Sequence, residues 1–210
     1  MVSMHDDDLL PLFPLAVVLL PHNPLPLHIF EDRYKKMIGA LEASGEFGVV
    51  MAAGQGLMPD GCTATVEEVV KKYPDGRMDI VTLGRRRFTI AEVDAEYDYL
   101  RARVTYFDDE DSVAPAALRE RAVLVCRPLR RGAEGEDEEI DADDPQLSFQ
   151  LAAVVADLDF QNMILRSRSE SERLQQFIAV TEPYLEKKQY RAKMQKVAGQ
   201  NGSGHKPAGI

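Results

Sequence analysis

The stretch "LLPLFPLAVVLLPHNPLPLHIF", Leu9–Phe30, runs for 22 residues without an Asp, Glu, Lys or Arg. Length and apolarity of that kind suit a membrane span, yet Pro11, Pro14, Pro21, Pro24 and Pro26 all lie inside it. A proline in a helix interior removes a hydrogen bond and costs about 3 kcal/mol, so the segment is not a helix and therefore not a span. It is not a secretory signal either. Asp6, Asp7 and Asp8 stand where a basic region is needed, and its far end offers no small-residue cleavage site. What remains is extended chain, in which proline is tolerated at strand starts, edges and bulges. Leu10–Leu15 and Val17–Leu20 are expected as short buried strands, "PHNP" as a turn, and Leu25–Ile29 as a further extended piece. Both flanks need cover, since so apolar a strand would template aggregation.

After Phe30 the period changes. Tyr34, Met37, Ile38 and Leu41 fall on one helical face, with Glu31 and Asp32 in the first turn and Gly45 at the exit. "FGVVM" (Phe47–Met51) reads as a buried strand and "AAGQGLMPDG" as a loop. From Gly61 to Phe107 the pattern is a β-meander: "CTATVEEVVKKY", a Pro-Asp-Gly turn within Tyr73–Arg77, "MDIVTLG", "RRRFTIAEVDA" and "YLRARVTYF". Strands spaced by about ten residues predict a sandwich or a small barrel. "DDEDSVAP" (Asp108–Pro115) opens a helical half. Pro115 starts one helix, Asp144 and Pro145 start a second through Val155, and the capping box "SESE" (Ser169–Glu172) starts a last one that Pro183 kinks or restarts. The expected division is a β lobe with one helix at 9–110, a helical lobe at 113–188 with an acidic linker at 132–144, and a disordered basic tail at 189–210.

The formal charge is −10. Residues 1–112 hold 20 acidic and 11 basic side chains, a net −9, so the β lobe carries the wrong sign for gripping RNA. Catalytic patterns are missing. There is no G-x-x-x-x-G-K-[ST], no G-x-S-x-G, no C-x-x-C and no H-E-x-x-H, so neither a cofactor nor a metal is expected. His5, His22, His28 and His205 are scattered, and His28, alternating with apolar neighbours, reads as a packed and satisfied histidine. Cys62 and Cys126 are expected to be unpaired in a reducing cytoplasm, Cys62 as a small buried hydrophobe. The one basic cluster of the β lobe is "GRRRF" (Gly84–Phe88): Arg85, Arg86 and Arg87 are candidate anion contacts, against the plainer reading of solvated arginines in a hairpin turn.

The order of these motifs resembles the N-terminal domain of Lon-type ATP-dependent proteases. Leu10–Leu15, Pro26–Leu27 and Phe30-Glu31-x-Arg33-Tyr34 fill its opening pattern, and "FGVV", "GCTATVEEV", "PDGR", "GRRRF", "LSFQLAA" and "SESERLQQF" follow in its order, from about Leu9 to Lys187. One departure is local: the family usually has Pro-Gly in the first turn, where this sequence has Pro21-His22-Asn23-Pro24. The sequence also ends before the ATPase and Ser-Lys peptidase modules of a full Lon protease. The resemblance implies an α+β fold, a PUA-like β pseudo-barrel followed by a helical bundle. It also implies a free-standing, non-enzymatic module that holds unfolded or degron-bearing polypeptides and acts as an adaptor or regulator of ATP-dependent proteolysis. Partners implied are such polypeptides and a Lon-type protease. An apolar patch left uncovered by the proline-rich strands would favour a homodimer, while the charge and the prolines point to neither nucleic acid nor membrane. The binding surface is expected where the first apolar segment meets the first helix, at Phe30, Glu31, Asp32 and Arg33. Two other readings compete, an RNA-binding PUA-like module and an enzyme whose site has no familiar motif.

Overall fold

The computed structural model describes residues 9–41, 45–54, 56–130 and 140–201. Six strands come first, with one helix among them: β1 (Leu10–Leu15), β2 (Pro24–Ile29), α1 (Asp32–Ala40), β3 (Phe47–Ala53), β4 (Gly56–Lys72), β5 (Met78–Asp94) and β6 (Arg101–Tyr106). Four helices follow: α2 (Ala116–Arg130), α3 (Leu147–Ala152), α4 (Leu158–Arg166) and α5 (Glu170–Asn201). The chain is thus α+β, and no helix among the described residues is long and apolar enough to cross a membrane.

The proline-rich leader is extended, as its chemistry requires. β1 has the expected bounds, but Val17–Leu20 is irregular, with Leu19 and Leu20 buried. The sheet order is β2-β5-β4-β3-β1-β6, and β5 also pairs with β6. β5 therefore serves two neighbours along one edge. Met78–Leu83 pairs with β2 and Phe88–Asp94 pairs with β6, while β4 follows the other edge over most of the length. Three register shifts along β4 and one beyond Ile90 bend the ribbon enough to make this possible. β1 and β3 run parallel, and the remaining pairs are antiparallel.

Leu10, Leu12, Val50, Phe88 and Ala102 fill the inside of the closed part of the sheet. The space is tight: a Cβ on Gly61 would lie 2.5 Å from the Phe88 ring and 2.6 Å from the Val49 carbonyl oxygen. A larger cluster on the other face joins sheet to helices through Phe13, Phe47, Ile80, Phe149, Leu174 and Phe177. In α1, Tyr34 and Met37 are buried, and Tyr34 packs on Phe13 with ring centroids 4.1 Å apart. Gly39, on the same helix, has nothing within 4 Å of an added Cβ. Gly39→Ala is expected to stabilise by about 0.5–1 kcal/mol through backbone entropy alone, read as a raised urea midpoint with an unchanged slope.

Several boundaries differ from expectation. Most of "AAGQGLMPDG" is strand, since β4 already begins at Gly56. "MDIVTLG" and "RRRFTIAEVDA" are one strand, so Arg85–Arg87 lie mid-strand and not in a hairpin turn. The helix after Asp144 is short and ends at Ala152, with Asp144 accepting from the Gln146 amide at 2.8 Å outside it. α4 was unforeseen. At the last helix the Ser169 hydroxyl accepts from the Glu172 amide at 3.3 Å, but the Glu172 carboxylate turns to Ser167 and leaves the capping box half-made. α5 continues through Pro183 to Asn201, so 189–201 are helix and not a disordered tail. Most of the acidic linker and 202–210 lie outside the described residues.

The turn that departs from the family's Pro-Gly pattern shows why glycine suits it. His22 has φ +60°, left-handed backbone that costs an L-residue about 1–2 kcal/mol. His22→Gly is accordingly expected to raise stability by roughly 0.5–1 kcal/mol in denaturant melts.

Candidate functional site

β2 alternates strictly. Leu25, Leu27 and Ile29 face the core, while Pro24, Pro26, His28 and the following Phe30 face outward. Phe30 is 59% exposed although its neighbour Ile29 is buried. The His28 ring stacks on Phe30 at 5.9 Å and meets Tyr73 edge-on at 6.0 Å. Asp79 fixes this row: its carboxylate lies 2.5 Å from His28 Nδ1 and accepts from the Tyr73 hydroxyl at 2.8 Å. Those two hydrogen bonds, His28 first, hold the Asp79 carboxyl below the usual range. Lys71 and Arg77 lie over the Tyr73 ring at 4.5 and 4.9 Å. His28 is thus satisfied as expected, but it stands half in solvent and is not packed in the core.

Glu31 precedes α1, and its carbonyl accepts from the Tyr34 and Lys35 amides. Its carboxylate pairs with Arg33 at 2.7 Å, Asp32 pairs with Lys35 at 3.0 Å, and the Arg33 guanidinium lies 4.5 Å from the Tyr34 ring centre. The charges around Phe30 therefore neutralise one another locally, and the aromatic ring is the group left open. At the other end of α1 lies a groove of about 270 Å³ lined by Ile38, Leu41, Val66, Val69, Met78 and the charged Lys72. Met78 is the register partner of Ile29 and shares its face, so the groove lies on the core side of β2 at the last turn of α1, while Phe30 stands outward before the first turn. Sequence reasoning found Phe30 but missed Tyr73, which meets His28, and Met78 and Val69, which line the groove, all placed by strand pairing.

Arg85, Arg86 and Arg87 each already hold a carboxylate. Arg85 donates to Glu67 at 2.8 Å and to the Thr65 hydroxyl, while Arg86 donates to Glu46 and lies 3.9 Å over Tyr106. Arg87 is buried between the Phe107 and Phe149 rings. It bonds Asp109 at 2.5 Å and the carbonyls of Leu165 and Ser167. Asp109 is shared with the fully buried Arg173, which also bonds Glu170 and Ser148. Arg87 thus ties the sheet directly to the end of α4, and to α3 through the Phe149 ring and α5 through the shared Asp109. Near it a cleft of about 430 Å³ opens at the junction, walled by Pro21, Arg85, Arg86, Phe107 and Gln146.

Burial pushes the Cys62 thiol up to about 12 and the Cys126 thiol up to about 11, so both are protonated small hydrophobes near neutrality. Among the described residues no group of three or more His, Cys, Asp or Glu is placed to hold a metal ion.

The family model of the ATP-dependent protease La (LON) substrate-binding domain matches residues 9–195. The chain belongs to this family. Solved structures agree on the fold. A Lon N-terminal domain protein from Xanthomonas campestris is 23% identical, with a TM-score of 0.59 over 81% of this chain and 97% of that one. The N-terminal domain of a Mycobacterium avium complex Lon protease is 22% identical, with a TM-score of 0.64 over 82% and 97%. As a LON substrate-binding domain, the chain matches the part of the protease named for holding substrate. The open surface at Phe30 is the apolar feature to weigh against that role.

Proposed function

We propose that this chain is a non-catalytic polypeptide-binding module, a PUA-like pseudo-barrel followed by a helical bundle. It holds unfolded or degron-bearing chains along α1 and serves ATP-dependent proteolysis as an adaptor or regulator in the cytoplasm. The observation that carries the reading is that α1 is flanked at its start by exposed Phe30 and at its last turn by a largely apolar groove lined by Ile38, Leu41 and Met78. α1 has nine residues, so the path is about 14 Å long and matches roughly four residues of extended chain. Phe30 is the anchor and Glu31, Asp32 and Arg33 form a charged rim that contributes little energy, as rim charges generally do.

The RNA reading is weaker. The β lobe is net negative, and Arg85, Arg86 and Arg87 are each paired with a carboxylate. Titration of fluorescein-labelled, intrinsically unfolded β-casein by anisotropy tests the polypeptide reading. Phe30→Ala is expected to weaken binding about tenfold and alanine at Glu31, Asp32 and Arg33 together about twofold. Unchanged affinity in all of these variants would remove the site from α1.

A further inference from the structure

We infer that the bound polypeptide continues from Phe30 along the outer face of β2 and ends its contact in the cleft at the lobe junction. This inference rests on the polypeptide-binding reading and adds a second contact to it. Phe30 and the cleft bracket β2: Pro21, just before the strand, lines the cleft, and Phe30 directly follows Ile29. Between them Pro24, Pro26 and His28 point the same way, all exposed, so that four rings form one track. Six strand residues make that track about 20 Å long.

The edge of β2 decides how a chain can use it. Pro24 and Pro26 share one parity and have no N–H. The β2–β5 ladder is continuous over six pairs, so their missing donors fall on the free edge. Strand addition is thus starved of hydrogen bonds there. A client instead lies across the rings and takes its polar contacts at the ends.

The cleft supplies such contacts for peptide backbone. Arg85 and Arg86 sit on its wall with partly exposed carboxylate partners, and surface pairs of that kind are weak and exchangeable. They can donate to peptide carbonyls. Gln146 lines the same cleft, and its amide oxygen is buried without a hydrogen-bond partner, an acceptor matched to a peptide N–H. Pro21 and Phe107 add apolar wall. Donors and acceptors together, with Asp108 and Asp109 among them, fit a peptide and oppose a polyphosphate backbone.

Cross-linking tests this directly. Cys62 and Cys126 are both buried, so Ser112→Cys, at the exposed cleft rim, can be labelled selectively with benzophenone-maleimide. Irradiation with β-casein is expected to give a product that unlabelled casein competes away, at least fivefold more than from a Glu92→Cys control. Pro24→Glu with Pro26→Glu, checked for folding by circular dichroism, is expected to weaken casein binding at least fivefold. Cross-linking at 112 no stronger than at 92, with Phe30→Ala still weakening binding, overturns the track alone. No binding of casein by the unaltered chain overturns the polypeptide reading with it. Preferential cross-linking at 112 to a poly(U) 20-mer overturns the choice of ligand.

Discussion

Arg173→Met is expected to lower the unfolding free energy by about 3–5 kcal/mol, a fall in Tm of about 6–20 °C for a chain of this size. Arg173 has 0% side-chain exposure and reaches Asp109, Glu170, Ser148 and the Ser167 carbonyl with all three guanidinium nitrogens. Methionine fills much of the volume but leaves Glu170, also at 0%, as a buried carboxylate without its cation. The same logic gives the control. Removing the paired charge as well, in Arg173→Met with Glu170→Leu, is expected to recover part of the loss, because the main penalty is the unpaired ion and not the missing attraction.

Acid should erase the difference. Burial alone would raise the Asp109 carboxyl, but the hydrogen bond from Arg173 and the charges of Arg173 and Arg87 outweigh it and hold the folded value below the usual range. An unfolded aspartate titrates near pH 3.9, so this contribution is complete above about pH 4 and is lost as the pH falls through the depressed folded value. The gap between Arg173→Met and the unaltered chain is expected to narrow below about pH 4 in urea melts. A gap that widened there would show that the pairing is not the source of the stability.

Gly84→Ala is expected to destabilise by about 2–3 kcal/mol, measured as a lowered urea midpoint. A Cβ at Gly84 would sit inside the contact distance of the Leu20 carbonyl oxygen, a backbone atom that cannot swing aside, and 3.2 Å from Leu19 Cγ. The close approach is fixed by two hydrogen bonds, His22 amide to the Gly84 carbonyl at 2.9 Å and Gly84 amide to the Asn23 carbonyl at 3.0 Å. The leader's turn is thus docked on mid-β5, and Asn23 continues the seam by donating to the Phe149 carbonyl at 3.1 Å. A Gly84→Ala variant as stable as the parent would mean that the turn is not held there.

Gly84 also shows what a sequence can and cannot tell. The prolines of Leu9–Phe30 excluded a helix on local grounds, and β1 lies at Leu10–Leu15 as that reasoning requires. Gly84 and Gly56 look like turn residues locally, which splits β5 in two and starts β4 late. Both glycines are in fact within strands, and Gly84 is small because another backbone passes over it, which is a tertiary fact. α4 did carry a signal that was overlooked: Asp157 caps it by accepting from the Phe160 amide at 2.9 Å, and Phe160, Ile164 and Leu165 follow at helical spacing. Phe30 was legible as an apolar residue before a helix. Tyr73 meets His28, the ring beside Phe30, only because β2 pairs with β5 and sets Asp79 opposite His28. Arg87 and Arg173 meet at Asp109 from 22 and 64 residues away, so no local pattern announces the tie.

Hydrogen–deuterium exchange of the whole chain, with and without saturating unfolded β-casein, most directly tests the claim that α1 and its groove hold polypeptide. Slowed exchange in α1 and in the paired ends of β4 and β5, around Val66–Met78, with α2 unchanged, is the expected result. Protection confined to the helices after β6, or no protection under conditions where casein is bound, would contradict it.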